Sequence, residues 1–574
     1  MARCAEAGEH KAAGASKTAP LAQGRTTMKV MDAITEILKR EGISTMFCFP
    51  TTPIIESAAA AGIRPVICRQ ERVGVHMADG CTRVANGKPA GVFAMQYGPG
   101  AENAFAGIAS AYSDSSPVLL LPLGHPQETA QTFPLFNSTR TYASVVKQVE
   151  PVARAEHVVA AMRRAFNALK NGRPGPVMVE VPADLMTADF EGAVDYTPIR
   201  AARSAGDARD IDDAVKLILE ARSPMIIAGQ GVLYAEATAE LVALAELLDV
   251  PVMTTTDGKS GFPEDHALAL GSGGIVYTGQ GRHYLHDSDV ILAIGTSLTK
   301  HNITTPVLPP GKKIVHATND ARDLNKINET QIPILGDAKL VLAQLAEAAK
   351  ERLGGKPRRT ETRQTIQKLR NEWLGRWEAK LRSTEKPLCP YFVMSEFMRV
   401  IPSEDAIVTH DSGSPRDQLL PFYVASRPRG YLGWGKSHQL GTGLGLAIGA
   451  KVGAPDKFCV NFMGDAAFGM TGLDFETAAR SGIPSTTIVL NNNTMAIETH
   501  AMQYSHEKYK TRDLGGSYAN IAKDLGGWSE RVDNPAEVGN AILRAREQNE
   551  NGRAALLEMI TSAETAFSHR RGAA

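Results

Sequence analysis

At 574 residues the chain exceeds what one hydrophobic core can organise, so about three domains are expected. An apolar content of 43% with 22% charged residues is that of an ordinary globular protein, and 62 basic against 62 acidic side chains create no field that would gather nucleic acid or an anionic membrane. The six cysteines form no Cys-x-x-Cys pair, and no run of about 18 apolar residues exists, so a reducing cytoplasm and no membrane span are expected.

Residues 1–27 are rich in Ala, Gly, Lys and Thr and lack an apolar h-region, so they read as a disordered leader, not a secretory signal. A first domain follows over 28–195. Its helical spacing at 30–40 leads to short strands at 45–49 and 65–68, a helix over 72–85, and buried-type strands at 90–95, 117–123 and 177–181. Uninterrupted apolar runs of this kind suit a parallel sheet covered on both faces. Residues 186–206 read as a linker. A middle domain over 205–350 repeats the alternation, with strands at 224–229, 251–254, 289–295 and 313–316 and a helix at 235–248. Its Gly229-Gln230-Gly231 turn is too short to prove a bound nucleotide. The charged segment 351–387 reads as a solvated connector, and a third domain occupies 388–565. The expected fold class is α/β, with three doubly wound parallel-sheet domains.

The third domain carries the strongest chemical signal. Gly464-Asp465-Ala466 closes an apolar strand, and a helix is expected over 472–480. A second apolar strand then ends in Asn491-Asn492-Asn493, with Asn492 27 positions after Asp465. Adjacent parallel strands end on one edge of a sheet, which brings Asp465 and Asn492 together. A carboxylate and an amide oxygen beside a glycine turn suit a hard divalent cation carrying a diphosphate. The pattern resembles the Gly-Asp-Gly…Asn-Asn signature of thiamine-diphosphate enzymes, with Ala at the third position. That resemblance implies Mg²⁺ held by Asp465, Asn492 and the carbonyl of Thr494, with Gly464, Ala466 and Ala467 against the cofactor.

In the first domain, Glu71 follows an apolar strand and opens a helix, a place where an acid is also favoured by the helix dipole alone. Beyond it come Ala78-Asp79-Gly80, Arg83, Tyr97-Gly98-Pro99-Gly100-Ala101-Glu102-Asn103 and Ala109 to Ser115. This order resembles the pyrimidine-binding domain of the acetolactate synthase group, and the resemblance extends over residues 28–562. It implies pyrimidine-binding, middle Rossmann-like and diphosphate-binding domains, in a homodimer or tetramer with active sites between subunits. Glu71 is then the acid that hydrogen-bonds the pyrimidine ring of the cofactor, supplied by a neighbouring subunit. Burial would raise its pKa and keep its proton shared with the ring. Pro99 and Asn103 fall at cofactor-binding positions, as do Gly413 and Ser414 at the diphosphate. The run 430–441 matches the loop in which the His438 carbonyl accepts from the cofactor's amino group and Leu440 wedges between its two rings.

The resemblance departs on the substrate side. An Arg that clamps a 2-ketoacid carboxylate corresponds to Ser297, and a Trp beyond the Asn-Asn pair to Ala501. Glu498 stands where related decarboxylases carry a catalytic Glu, although an exposed acid in a first helical turn accounts for it equally. His125 is a further candidate facing the substrate, ahead of His500 and His506. The expected activity is therefore thiamine-diphosphate- and Mg²⁺-dependent lyase or carboligase chemistry beside a carbonyl, with 2-hydroxyacyl-CoA lyase favoured. A 2-ketoacid decarboxylase, an acetolactate synthase proper and a non-catalytic nucleotide-binding regulator are the alternatives. FAD or ADP in the middle domain is not favoured.

Overall fold

The computed structural model describes residues 28–301 and 303–568; the leader expected over 1–27 lies outside them. The first sheet contains β1 (Thr45–Cys48), β2 (Arg64–Ile67), β3 (Gly91–Met95), β4 (Val118–Gly124), β5 (Gln148–Pro151) and β6 (Val177–Pro182), in the order β2-β1-β3-β4-β6-β5. The second contains β7 (Pro224–Ala228), β8 (Val252–Thr255), β9 (Ala269–Gly273), β10 (Val290–Ile294), β11 (Lys313–Thr318) and β12 (Ile332–Leu335), ordered β12-β11-β10-β7-β8-β9. The third contains β13 (Ala406–His410), β14 (Tyr431–Leu432), β15 (Phe458–Gly464), β16 (Thr486–Asn491), β17 (Trp528–Val532) and β18 (Ala555–Ile560), ordered β14-β13-β15-β16-β18-β17. Neighbouring strands pair in parallel, and β3, β4 and β10 are buried along their whole length, as strands covered by helices on both faces must be.

The connector departs from the solvated reading. Its helix (Thr362–Leu381) buries Ile366, Trp373 and Trp377 on one face, with Trp373 stacked on Phe422 at 4.7 Å and Trp377 at 5.0 Å from Tyr391. The surrounding charge masks this narrow apolar stripe in the sequence. The helix expected over 472–480 is also broken: Asp465–Thr471 is helical, Gly472–Asp474 is a tight 3₁₀ turn, and Phe475–Arg480 resumes.

The first and third domains meet along two helices, Glu71–Val84 and Thr442–Gly453, whose glycines let the backbones touch. A Cβ at Gly80 would lie 2.2 Å from the Leu446 carbonyl oxygen, and one at Gly449 1.9 Å from that of Met77. No side chain larger than hydrogen fits there.

Candidate active site

In the third domain β15 and β16 pair with Gly464 opposite Leu490, so Asp465 and Asn492 leave the sheet side by side. Asp465 Oδ1 accepts the Ala466 N–H at 2.9 Å, while Oδ2 is buried without a partner among the described residues. Burial pushes its carboxyl up, and the backbone N–H groups of Ala466, Asn493 and Asn492 partly offset this. Asn492 Oδ1 accepts the Thr494 N–H at 3.1 Å, and the Thr494 carbonyl accepts that of Ala496, each oxygen keeping one lone pair. A buried orphaned carboxylate oxygen beside an amide oxygen and a carbonyl is the donor set a hard cation takes. The residues fit Mg²⁺. Among the described residues no group of three or more His, Cys, Asp or Glu could hold a metal.

Two glycines with left-handed φ flank the same edge: Gly413 (φ 91°) opens the helix Ser414–Leu419, and Gly441 (φ 91°) opens Thr442–Gly453. Asp411, fully buried after β13, accepts the N–H groups of Ser412 at 2.8 Å, Gly441 at 2.8 Å and Gly443 at 2.9 Å. Sequence reasoning missed this clamp, although an acid one residue before a Ser-Gly-Ser turn is its signal. A Cβ at Gly413 or Gly464 would meet nothing within 4 Å, so both turns leave backbone open to a ligand.

Glu71 opens its helix from Gln70 in extended conformation and is only 3% exposed. Asn103 Nδ2, on the helix Pro99–Ser113, donates to Glu71 Oε2 at 3.2 Å. Burial raises the carboxyl's pKa, against its own helix N–H and Asn103. The acid therefore holds its proton more tightly than an exposed glutamate does. Pro99 sits at the first turn behind Gly98, whose φ of 61° turns the chain out of β3.

The loop 433–441 is fixed by the first and middle domains. Arg83 Nη1 donates to the Gly433 carbonyl at 2.8 Å while its Nε pairs with Asp79 at 2.7 Å. Asp114 accepts the N–H groups of Gly435 and Lys436, and Lys436 is paired with Asp257 of the middle domain. Gln439 Nε2 donates to the Ala106 carbonyl at 2.8 Å, bringing neighbouring Leu440 against the core shared by the first and third domains. His438, at φ 40°, has its ring 6.0 Å from that of His301 in the middle domain. Burial, followed by His438 and Lys436, lowers the His301 pKa. No sequence signal singled out His301.

His125, just after β4, lies 4.7 Å from the Tyr97 ring on the same sheet edge as Glu71, with a buried Nε2 that has no partner among the described residues. Glu498 is half-buried in the turn Ala496–Glu498, four residues past Thr494. His500 and Ala501 are exposed, and His506 Nδ1 accepts the Arg512 N–H. Ser297 lines a cavity of about 390 Å³ together with Arg173, Gly231, Thr318 and Asp337, and Lys436 of the loop 433–441 lines the same cavity. The helix that Glu71 opens packs on Thr442–Gly453 through glycines on both faces.

Comparison with known proteins gives three domain matches: the N-terminal thiamine pyrophosphate-binding domain of thiamine pyrophosphate enzymes over residues 28–149, their central domain over 211–345, and their C-terminal thiamine pyrophosphate-binding domain over 411–559. A probable acetolactate synthase large subunit of Methanocaldococcus jannaschii is 31% identical over 91% of this chain and 90% of its own length. The acetolactate synthase large subunit of Corynebacterium glutamicum is 31% identical over 85% and 79%. A glyoxylate carboligase of Escherichia coli O157:H7 is 27% identical over 90% of each chain.

Proposed function

This chain belongs to the thiamine pyrophosphate enzymes, acetolactate-synthase-like in type, and from that premise we propose that it makes or breaks a carbon–carbon bond beside a carbonyl with Mg²⁺ as second cofactor. A non-catalytic nucleotide-binding role is set aside, because the chain carries all three domains of these enzymes. The observation that carries the Mg²⁺ assignment is the orphaned, buried Asp465 Oδ2 beside Asn492. When bound, thiamine diphosphate supplies a sink for the electron pair released as the bond breaks. Asp465, Asn492 and the Thr494 carbonyl would anchor its diphosphate through Mg²⁺, with Gly413 and Ser414 donating from the opposite turn. Glu71, raised by burial and steadied by Asn103, holds a proton for the ring nitrogen. The His438 carbonyl and the Leu440 side chain orient the rings, and the packed loop 433–441 excludes water.

The finer activity proposed is cleavage of a 2-hydroxyacyl-CoA to a carbonyl compound and formyl-CoA. Supporting it, His301 beside the cofactor loop is held neutral, and the Lys436 cation is committed to Asp257, so an uncharged thioester suits this face. Glu498 and His125 would exchange the substrate's hydroxyl proton. One observation favours a second reading, 2-ketoacid decarboxylation or carboligation. Arg512, whose Nη1 lies 2.9 Å from Thr499 Oγ1 and whose Nε is buried without a partner, offers a fixed cation near Glu498. Holoenzyme given 2-hydroxyisobutyryl-CoA should release formyl-CoA and acetone. Carbon dioxide from pyruvate, with the thioester untouched, would establish the second reading instead. The five described cysteines are free, which suits a cytoplasmic location, and no described helix is long and apolar enough to cross a membrane.

A further inference from the structure

The segment that delivers Glu71 is held by the third domain at several points. Arg480 Nη2 donates to the Ile67 carbonyl at 2.7 Å, Arg72 Nη2 to the Met470 carbonyl at 3.2 Å, and Arg69 Nη1 lies 3.6 Å from Glu476. Arg480 and Arg69 are solvent-exposed and Arg72 is half-buried, and contacts of exposed cations fix little. One contact differs. Asp474, 1% exposed in the tight turn Gly472–Asp474, accepts the Arg69 backbone N–H on Oδ1 at 2.8 Å and the Thr477 hydroxyl at 3.0 Å. It is this turn that interrupts the helix expected over 472–480, and it turns the acid towards the first domain. Arg69 is two residues before Glu71, and Gln70 between them is the extended residue from which the helix starts without any side-chain cap. Desolvation raises the Asp474 carboxyl to about 6, so its burial is costly where an apolar residue would pack more cheaply.

We propose that Asp474 is a positioning residue: by gripping the backbone before Glu71 it lets the cation-binding domain set where the proton-holding acid points. The proposal rests on the Glu71 role given above. Carboxylate or amide oxygen alike can accept the Arg69 N–H, whereas alanine leaves that donor buried and unpaired. The test uses D474A and D474N in the full chain. In the cofactor-free protein, amide exchange at residues 69–71 should quicken at least tenfold in D474A and stay within threefold of wild type in D474N. With thiamine diphosphate and Mg²⁺ but no substrate, deuterium exchange at the cofactor's C2 should slow by 10- to 100-fold in D474A and by less than threefold in D474N. R480A, which removes an exposed contact to the same segment, should leave C2 exchange unchanged.

Wild-type C2 exchange in a folded D474A overturns the proposal, as does equal loss in D474A and D474N. If D474A does not fold, D474N decides, and a loss beyond tenfold in C2 exchange overturns it. E71Q keeps the two ideas apart: wild-type C2 exchange in E71Q defeats the Glu71 reading itself, whatever the Asp474 variants do.

Discussion

The first and third sheets have the same strand order, each running second-first-third-fourth-sixth-fifth in its own chain sequence, and the fifth position of each order carries a glutamate at the same step. In β18 that residue is Glu558, fully buried, accepting from Asn491 Nδ2 at 2.8 Å and from the Ala519 N–H at 2.9 Å. In β6 it is Glu180, met by the Ser138 hydroxyl and lying against Gly124. Burial forces Glu180 up to about 7. The same scaffold thus uses one acid to order the turn before Asn492, and leaves the other poorly satisfied beside the edge that carries Glu71 and His125. What the two sheets do is decided by their loops and by the partners of single side chains, not by topology.

The largest effect tests the division of labour between the two sheets. E71Q should still bind Mg²⁺ and thiamine diphosphate in calorimetry but lose turnover by about 10²–10⁴-fold, the usual size of a lost proton-transfer group. D465A should lose Mg²⁺-dependent cofactor binding. Mixing the two inactive variants then asks which chains build a site. If each site draws Glu71 from one copy and Asp465 from another, mixed oligomers regain a measurable fraction of activity. If each site draws both residues from one chain, the mixture stays dead. Recovery would show that a site is built from two copies.

Much of this was legible in the sequence because it is written in short-range patterns. Gly464-Asp465-Ala466 and Asn492 were readable since a parallel strand pair converts a spacing into a neighbourhood. The first and middle sheets show as apolar runs, and the helix Val30–Arg40 has the expected bounds. What stayed hidden depends on contacts between distant segments. Asp474 and Arg69 are 405 residues apart, and the side chains of Asp411, Asp114 and Arg83 bind backbone groups, which have no sequence signature. The short edge strand β14 and the apolar face of the connector were missed for want of length and because of surrounding charge.

A smaller effect sharpens the glutamate comparison from the third domain. E558A leaves Asn491 Nδ2 and the Ala519 N–H buried without their acceptor, at a cost of about 2–5 kcal/mol for two stranded donors. Urea unfolding should show that loss. Because Asn491 adjoins Asn492, Mg²⁺-dependent cofactor affinity should fall as well. A variant that is destabilised yet binds Mg²⁺ and cofactor normally would separate Glu558 from the metal turn.

The smallest effect has the opposite sign. An acid raised from an ordinary 4.5 to about 7 holds a proton in the folded state that the unfolded chain has released between those pH values. Stability then falls as pH rises through this window, because the unfolded state binds fewer protons. The contribution is intact below about 4.5 and lost above about 7. E180Q, which keeps an acceptor for Ser138 and cannot ionise, should therefore be more stable than wild type at pH 8 by about 1–3 kcal/mol. At pH 4.5 the two should coincide, since Glu180 is then protonated in the folded protein. Thermal or urea unfolding at both pH values measures the difference. A glutamine variant no more stable at pH 8 than wild type would mean that Glu180 has found in solution the partners that Glu558 has in β18, and the contrast between the two strands would disappear.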